Sequence, residues 1–517
     1  MLGYLQFSDA AKFADIARNI ISGLGYNGKF SFWSSGIIDL SQRLAFPSPW
    51  TPPLMPLSIA ASFQVFGIND FAVLATSFLY FILTLIFVYL LAKRVFKNNL
   101  VAILSTIAVG FNFDLITYAT NGASESLFIF EIVIGVYLIS LRKKWSTVLG
   151  FIFMVLLYFT RSQAFIYIAG TLLYWALTRF KRKKALYIFS LILVVGFLID
   201  YFVLPRLAGK YFLYSVFGRG FGTLTQVSSG GSASDSLRGV TVQADGVITI
   251  IKKLFYNLYN FYKLAPQIIN PYLLTLFVIG LFKWGKDRFN DSFRATTTFM
   301  VIITFLVAAL SIPFFRYIHP IVPFVYIIGV GTLVELISNF QFPISIPKQK
   351  FIILVSTFLI LVFGVGQTLG IMFLDSRFKR NTHNVGKPPV YVGLSRIMKE
   401  NTDPSDFIIT NLDTWGSWYG ERRTIWFPGD PKQLVNSKDG KIPFDAIYLT
   451  SYLIDDQNYF MGNPWRQIFE NPSDPKRWTC DGCREIAKEF KLKGVYTISP
   501  GEDYERDGAK AVLLIKK

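Results

Sequence analysis

The sequence predicts a multi-pass α-helical membrane protein, a bundle of about ten spans, with a small C-terminal α/β domain outside the bilayer. Three observations carry that prediction. The 517 residues are 52% hydrophobic and 17% aromatic but only 16% charged, against about 25% charged in an average soluble chain. Ten apolar stretches near the length of a spanning helix all lie before residue 375. After about residue 385 the composition becomes that of a soluble domain. The 51 Phe and 26 Tyr exclude a disordered chain, which is poor in aromatics and rich in charge. Two Cys and two His exclude a multi-Cys zinc site and argue against an all-His one.

The apolar stretches fall at 71–92, 100–118, 124–141, 145–160, 163–178, 186–204, 267–284, 295–313, 317–337 and 351–374. Basic residues in short loops set orientation. Lys93, Arg94 and Lys97 follow the first span, and Arg142, Lys143 and Lys144 the third. Arg179, Lys181, Arg182, Lys183 and Lys184 follow the fifth, Lys283, Lys286, Arg288 and Arg294 mark the end of the seventh and the loop after it, and Lys348 and Lys350 follow the ninth. The alternate short loops 119–123, 161–162 and 314–316 carry only Arg161 and Arg316. Every second loop is therefore expected in the cytoplasm, with 1–70, 205–266 and 375–517 on the extracytoplasmic side of a cell membrane. Most of the net charge of +19 is then a topology signal, and no nucleic-acid partner is needed to explain it. The first 70 residues do not form a signal peptide, and a tail of this kind is hard to export alone. The sequence thus implies a further span upstream of Met1.

The outer segments differ in kind. Phe13, Ile16, Ala17, Ile20 and Ile21 share one helical face, and a Pro-rich turn at 46–56 leads to the apolar 57–66. This predicts two short helices on the membrane surface. Asp15 would then sit on the solvated face. The Gly/Ser-rich 205–249 reads as a mobile loop, and Gly218, Gly220 and Gly222 lack the flanking strand and helix of a nucleotide-binding fingerprint. In 375–517, helices are expected at 391–401 and 483–491, and strands at 406–410, 444–450, 494–498 and 511–516. Cys480 and Cys483 are too few for zinc, and a local disulfide is a simpler reading than a redox motif.

Ionisable residues near a membrane are costly and mark functional sites. Asp9, Asp15, Asp114, Glu125, Arg161 and Arg316, the last with Tyr317 and His319 beside it, all fall at the outer ends of spans or in the outer loop. Singly, each has a plain explanation: an outer Arg can snorkel to lipid phosphates, and Asp114 can end a helix. Together on one face they predict a polar cavity. Arg binds phosphate in a bidentate manner, and a carboxylate can take the proton of an attacking hydroxyl. A lipid-linked sugar phosphate places its headgroup at that boundary. Glu131 lies deeper, as a bundle-interior contact or part of the cavity.

These residues also resemble a known family. The run 8–26 (SDAAKFADIARNIISGLGY), the segment TPPLMP at 51–56 with Phe66 and Gly67, AKRVF at 92–96, YFTR at 158–161, and Arg316, Tyr317, Pro320 and Pro323 resemble, in order and spacing, the protein O-mannosyltransferase-like and aminoarabinose-transferase-like GT-C glycosyltransferases. The resemblance covers roughly residues 1–340. It implies a polyprenyl-phosphate sugar donor, an extracytoplasmic acceptor (protein, lipid or envelope glycan) and inversion at the anomeric carbon. It implies Asp9 as catalytic base and Glu125 as a second catalytic acid contacting acceptor or metal. Arg161 and Arg316 would hold the lipid phosphate, with Tyr317, His319 and Asp114 lining the substrate. The family often carries a second acid beside the base; Ala10 stands there, so no cofactor is assigned and use of a divalent metal ion stays open. Two rivals stay open as well. One is a transporter or flippase of lipid-linked sugars, which would favour broken helices and mid-membrane polar groups in repeats. The other is a non-catalytic envelope-assembly protein on the same scaffold.

Overall fold

The computed structural model describes residues 3–32, 45–48, 51–203, 226–228, 241–243, 246–283, 287–311, 313–339, 347–374, 388–435, 442–451, 462–499 and 508–517. Apart from the short antiparallel pair Gln226–Ser228 with Thr241–Gln243 and the start of the helix Val247–Ile268, the glycine-rich segment 205–249, expected as a mobile loop, lies outside the described residues.

All ten apolar stretches are largely helical over their described residues. Among the described residues, five helices, Asp70–Phe96, Arg182–Val203, Arg288–Leu310, Phe315–Asn339 and Lys348–Leu374, are long and apolar enough to cross a membrane alone, and the number is up to seven if each of two bent pairs is one span. The helices Ser124–Ser140, Lys144–Tyr158 and Ala164–Arg179 are shorter, at 17, 15 and 16 residues. The stretch expected as one span at 100–118 is broken by 61° between Asn99–Gly110 and Phe113–Thr120. Asn112 causes the break. Its side-chain oxygen accepts the Leu115 N–H at 3.1 Å, and its amide donates to the Tyr326 hydroxyl at 3.0 Å. An Asn that caps the second helix cannot also continue the first.

Ser124–Ser140 is buried along almost its whole length and on every side, as is Val322–Asn339. A helix apolar all round belongs at the centre of a bundle, and these two form its core with Asp70–Phe96. Lipid-facing positions appear on the outer helices, where Trp145, Val148, Ile152, Leu186, Val194 and Leu354 are exposed. Glu131 is an interior contact: it is 1% exposed and accepts from the Thr160 hydroxyl at 2.7 Å.

The N-terminal helix α1 (Ser8–Ile21) departs from the surface helix the periodicity predicts. Ala10, Ala11, Phe13, Ala14, Asp15, Ile16, Ala17 and Asn19 are all buried, so both faces are covered. One side packs on the helix α2 (Leu54–Phe66), the other on the C-terminal domain. Asp15, expected on a solvated face, is 1% exposed. It pairs with Arg18 at 2.5 Å and accepts the Lys29 N–H at 2.5 Å, which satisfies the buried charge.

The C-terminal domain is a six-stranded mixed sheet. In sheet order it runs β1 (Phe30–Phe32), β3 (Arg423–Trp426), β2 (Phe407–Thr410), β4 (Ala446–Thr450), β6 (Ala509–Lys516), β5 (Phe490–Ile498). The first four strands are parallel, and the last two pairings antiparallel. The four predicted strands and both predicted helices are present, the helices as Val390–Glu400 and Cys483–Glu489. Strands β1 and β3 were not expected: β1 comes from the N-terminal segment and is only three residues long. Cys480 and Cys483 form a disulfide.

Close packing inside the bundle is set by small residues. A Cβ placed on Gly329 would lie 2.7 Å from the backbone oxygen of Leu273, and a backbone cannot swing aside. Gly329→Val is therefore expected to lower the apparent melting temperature in detergent, with an overpacking cost of about 1–3 kcal/mol. Thermal unfolding monitored by tryptophan fluorescence checks this; an unchanged melting point would refute the packing.

Candidate active site

The predicted site residues converge from five separate chain segments. Asp9 lies in the first turn of α1 and Asp114 in the first turn of Phe113–Thr120. Glu125 opens Ser124–Ser140, Arg161 follows Lys144–Tyr158, and Arg316 and His319 occupy the short turns before Val322–Asn339. Carboxylates in the first turn also suit the positive end of a helix dipole.

Two ion pairs form the centre. Arg316 Nη1 donates to Asp9 Oδ2 at 2.6 Å and lies 4.0 Å from Glu125 Oε1. Arg161 Nη1 is 2.7 Å from Glu125 Oε1 and donates to Ser124 Oγ at 2.9 Å. Glu125 is 1% exposed and is thus bracketed by two guanidinium groups. Tyr317 lies against both arginines, its ring 5.8 Å from the Arg161 carbon and 5.6 Å from that of Arg316. Beside this centre, His319 Nε2 is 3.3 Å from Asp114 Oδ2, and its Nδ1 is 2.5 Å from the Tyr118 hydroxyl. Phe7 stacks edge-on against Tyr118 and ties the second group to the start of α1. All seven predicted residues are therefore in one neighbourhood; Tyr118 and Ser124 join them.

Gly122 explains how α1 comes so close. Its φ is +74°, and an added Cβ would lie 2.8 Å from Val73 and 3.0 Å from the Ala10 Cβ. The small Ala10 thus seats α1 on the turn that starts the Glu125 helix.

Each arginine keeps N–H donors with no partner among the described residues. Arg161 uses only Nη1 in its polar contacts, and Arg316 likewise. A guanidinium has five donors in a fixed fork, so both can hold a further anion. Half-burial disfavours the charge of Asp9. The charge and hydrogen bond of Arg316, with Arg161 and Lys12 beyond it, outweigh that and hold the carboxyl below its ordinary value. Among the described residues no group of three or more His, Cys, Asp or Glu is placed to hold a metal ion.

Sequence reasoning missed one acid. Asp413 follows β2 at the carboxyl end of the parallel strands, where open α/β sheets place their sites. It is 7% exposed and adopts φ +59°. Its carboxylate accepts the Thr414 N–H at 2.7 Å and hydrogen-bonds the Ser8 side chain, and Thr414 Oγ1 donates to the Ser8 carbonyl at 2.5 Å. Burial pushes the Asp413 carboxyl up to about 7; the Thr414 amide opposes the rise, and the charge of Asp9 adds to it. The available signal was an Asp-Thr pair straight after a predicted strand, which is weak without the fold.

Residues 50–204 match the family described as dolichyl-phosphate-mannose-protein mannosyltransferase. The oligosaccharyltransferase of Archaeoglobus fulgidus, solved in complex with Zn and sulfate, is similar at a TM-score of 0.54 and 12% identity, over 98% of this chain and 69% of that one. ArnT from Cupriavidus metallidurans bound to undecaprenyl phosphate is similar at a TM-score of 0.49 and 12% identity, over 99% of this chain and 94% of that one. No curated protein matches the chain in sequence. The overall fold is therefore shared with the archaeal oligosaccharyltransferase. Within it, the segment that carries Asp114, Glu125 and Arg161 matches the protein mannosyltransferase family model.

A carboxyl whose folded pKa is raised keeps a proton that the unfolded chain has lost, so stability falls as pH rises between the two values. For Asp413 that window runs from 3.8 to about 7. Asp413→Asn removes the penalty. Its melting temperature is expected to gain on the wild type across that window and to hold a constant lead above it. Parallel curves over the whole range would show that Asp413 is not held protonated.

Proposed function

We propose that this chain is a membrane glycosyltransferase that moves a sugar from a polyprenyl-phosphate donor to an acceptor on the extracytoplasmic face. The observation that carries the reading is the meeting of Asp9, Glu125, Arg161 and Arg316 at one end of the bundle, with guanidinium donors to spare. The match of residues 50–204 to dolichyl-phosphate-mannose-protein mannosyltransferases supports the donor class. The basic loops at the opposite ends of the helices support the sidedness.

In this reading the donor's phosphate enters between Arg161 and Arg316, and its lipid tail stays in the bilayer. Tyr317 packs beside both guanidinium groups and restricts their swing. The acceptor hydroxyl or amine lies against Asp9. Its heteroatom attacks the anomeric carbon, and its proton passes to the Asp9 carboxylate. The bond from the anomeric carbon to the phosphate oxygen breaks, and the electron pair leaves on the polyprenyl phosphate, where the arginines stabilise it. Attack opposite the leaving phosphate inverts the anomeric centre. Glu125 anchors Arg161 and orients the acceptor, while Asp114, His319 and Tyr118 line the sugar.

Arg316 has a double part in this scheme. While it pairs with Asp9 alone, it holds the carboxylate ionised and makes it a weak base. A phosphate that draws on the same guanidinium loosens that pair, and Asp9 becomes a better proton acceptor only when donor is bound. That coupling favours transfer over idle ionisation of water.

Asp9→Asn is expected to lower transfer by at least about a hundredfold, the usual contribution of a positioned base, while membrane insertion and melting stay near wild type. The assay offers labelled polyprenyl-phosphate sugars to protein in proteoliposomes, and mass spectrometry identifies the acceptor. Full transfer by this variant would remove Asp9 from the base role. Absence of transfer by the wild type with every donor would overturn the glycosyltransferase reading.

A further inference from the structure

The C-terminal domain reaches the bundle along one edge. Its contacts there are concentrated on the chain from Leu5 to Arg18. Tyr391 and Trp415 both donate to the Leu5 carbonyl, at 3.0 and 2.8 Å, and the Tyr419 hydroxyl accepts the Leu5 N–H at 2.8 Å. Arg18 donates to the carbonyls of Trp418 and Ser417 at 3.1 and 2.9 Å. These bonds hold α1 at both ends. Between them, at Ser8 and Asp9, the domain presents a side chain that such a clamp does not require: the carboxylate of Asp413.

Three features separate Asp413 from an ordinary buried acid. Its hydrogen bonds come from neutral groups, the Thr414 amide and the Ser8 side chain. Its backbone is in the left-handed region at φ +59°, which costs a non-Gly residue energy and persists where the surroundings fix it. Its charged neighbours are Asp9 and Lys12 on α1, and Asp9 is itself bonded to Arg316. A structural latch would be served as well by Asn, or by Gly in this backbone region. A carboxylate next to another carboxylate makes burial costlier, not cheaper.

We propose that Asp413 is a positioning residue of the transfer site, supplied by the C-terminal domain, which acts through Ser8 on Asp9 and sets how strong a base Asp9 is. The inference rests on the transferase reading above. When Asp413 is protonated, Asp9 feels Arg316 and Lys12 without opposition and is a weak base. When Asp413 ionises, a like charge stands behind Asp9 and raises its affinity for the acceptor's proton. Asp413 takes no proton from substrate; its own proton exchanges with solvent, so the overall balance of the transfer is unchanged. The outer domain thereby makes transfer respond to pH near neutrality, since burial holds this carboxyl up to about 7.

The test uses the full chain in proteoliposomes with a labelled polyprenyl-phosphate sugar that the wild type accepts. Rates are taken across pH for the wild type, Asp413→Asn and Asp413→Gly. Both replacements tolerate the left-handed backbone, so the clamp on α1 is kept. Wild-type kcat is expected to rise through about 7. Both variants are expected to lose that rise. They should match the wild type well below the inflection and fall short of it by up to about tenfold above it, for one like charge acting across a partly solvated gap. Loss by the same factor at every pH would show a merely structural role and overturn the proposal, as would variants that keep the wild-type inflection. Wild type that transfers no donor would fell the transferase reading and this inference together, whereas an active wild type with unaltered variants fells this inference alone.

Discussion

Everything at the site depends on where α1 is held. Asp9 is the one central residue that does not belong to the transmembrane bundle. Glu125, Arg161 and Arg316 sit at the ends of helices whose positions the bundle core already fixes. Asp9 reaches Arg316 at 2.6 Å only because α1 lies flat on the 121–123 turn and is covered from the other side by the C-terminal domain. The apolar cluster that joins Leu5, Ala10 and Phe13 to Ile59, Val73, Tyr391 and Trp415 is thus continuous from bundle to domain. A polar interface would leave α1 free to slide by a residue or more, and a slip of one ångström at a catalytic group is already costly.

The charges follow from the same constraint. Glu125 is 1% exposed and Arg161 nearly buried. In so little water each charge is offset by the other, because an unpaired buried charge costs several kcal/mol. Arg316 is more open, with 26% of its side chain exposed, and it divides its attention between Asp9 and Glu125. The site is therefore stiff at the Glu125–Arg161 pair and adjustable at the Asp9–Arg316 pair. Under the proposed reading, a ligand phosphate would meet one arginine that is anchored and one that can turn, which suits a group that must be bound and then released.

Much of this was legible in the sequence because membrane physics leaves a strong imprint. Apolar runs of spanning length, basic residues in alternate loops and the exceptions Arg161 and Arg316 each report a large energy. So the bundle, and the convergence of Asp9, Asp114, Glu125, Arg161, Arg316, Tyr317 and His319, could be read from spacing and motifs. What could not be read has a common cause. The face of α1 that carries Asp15 looks solvated because its cover comes from the 28–29 segment and from the short helix Trp415–Trp418, some four hundred residues later in the chain. Strand β1 is too short to show alternation, and its partner Arg423–Trp426 is buried on both faces, so neither shows the period of two. Asn112 breaks a span by capping the second helix at Leu115 and bonding Tyr326, and no window of hydropathy registers a single cap.

Asp413 marks where local reasoning stops and tertiary reasoning begins. In sequence it is one more acid in a soluble module. Its meaning arises from three placements that only the fold supplies: the carboxyl end of a parallel strand, a left-handed turn that aims its side chain at Ser8, and the candidate-site helix α1 packed against that turn. The first is a property of the sheet, the second of the loop, and the third of the bundle. Because the three belong to different parts of the chain, their agreement is hard to attribute to the packing of any one of them. A domain that served only to cover α1 would be expected to meet it with apolar or neutral groups throughout, as Tyr391, Trp415 and Tyr419 do at Leu5. The one acid it sets beside Asp9 argues that cover and chemistry were built into the same surface.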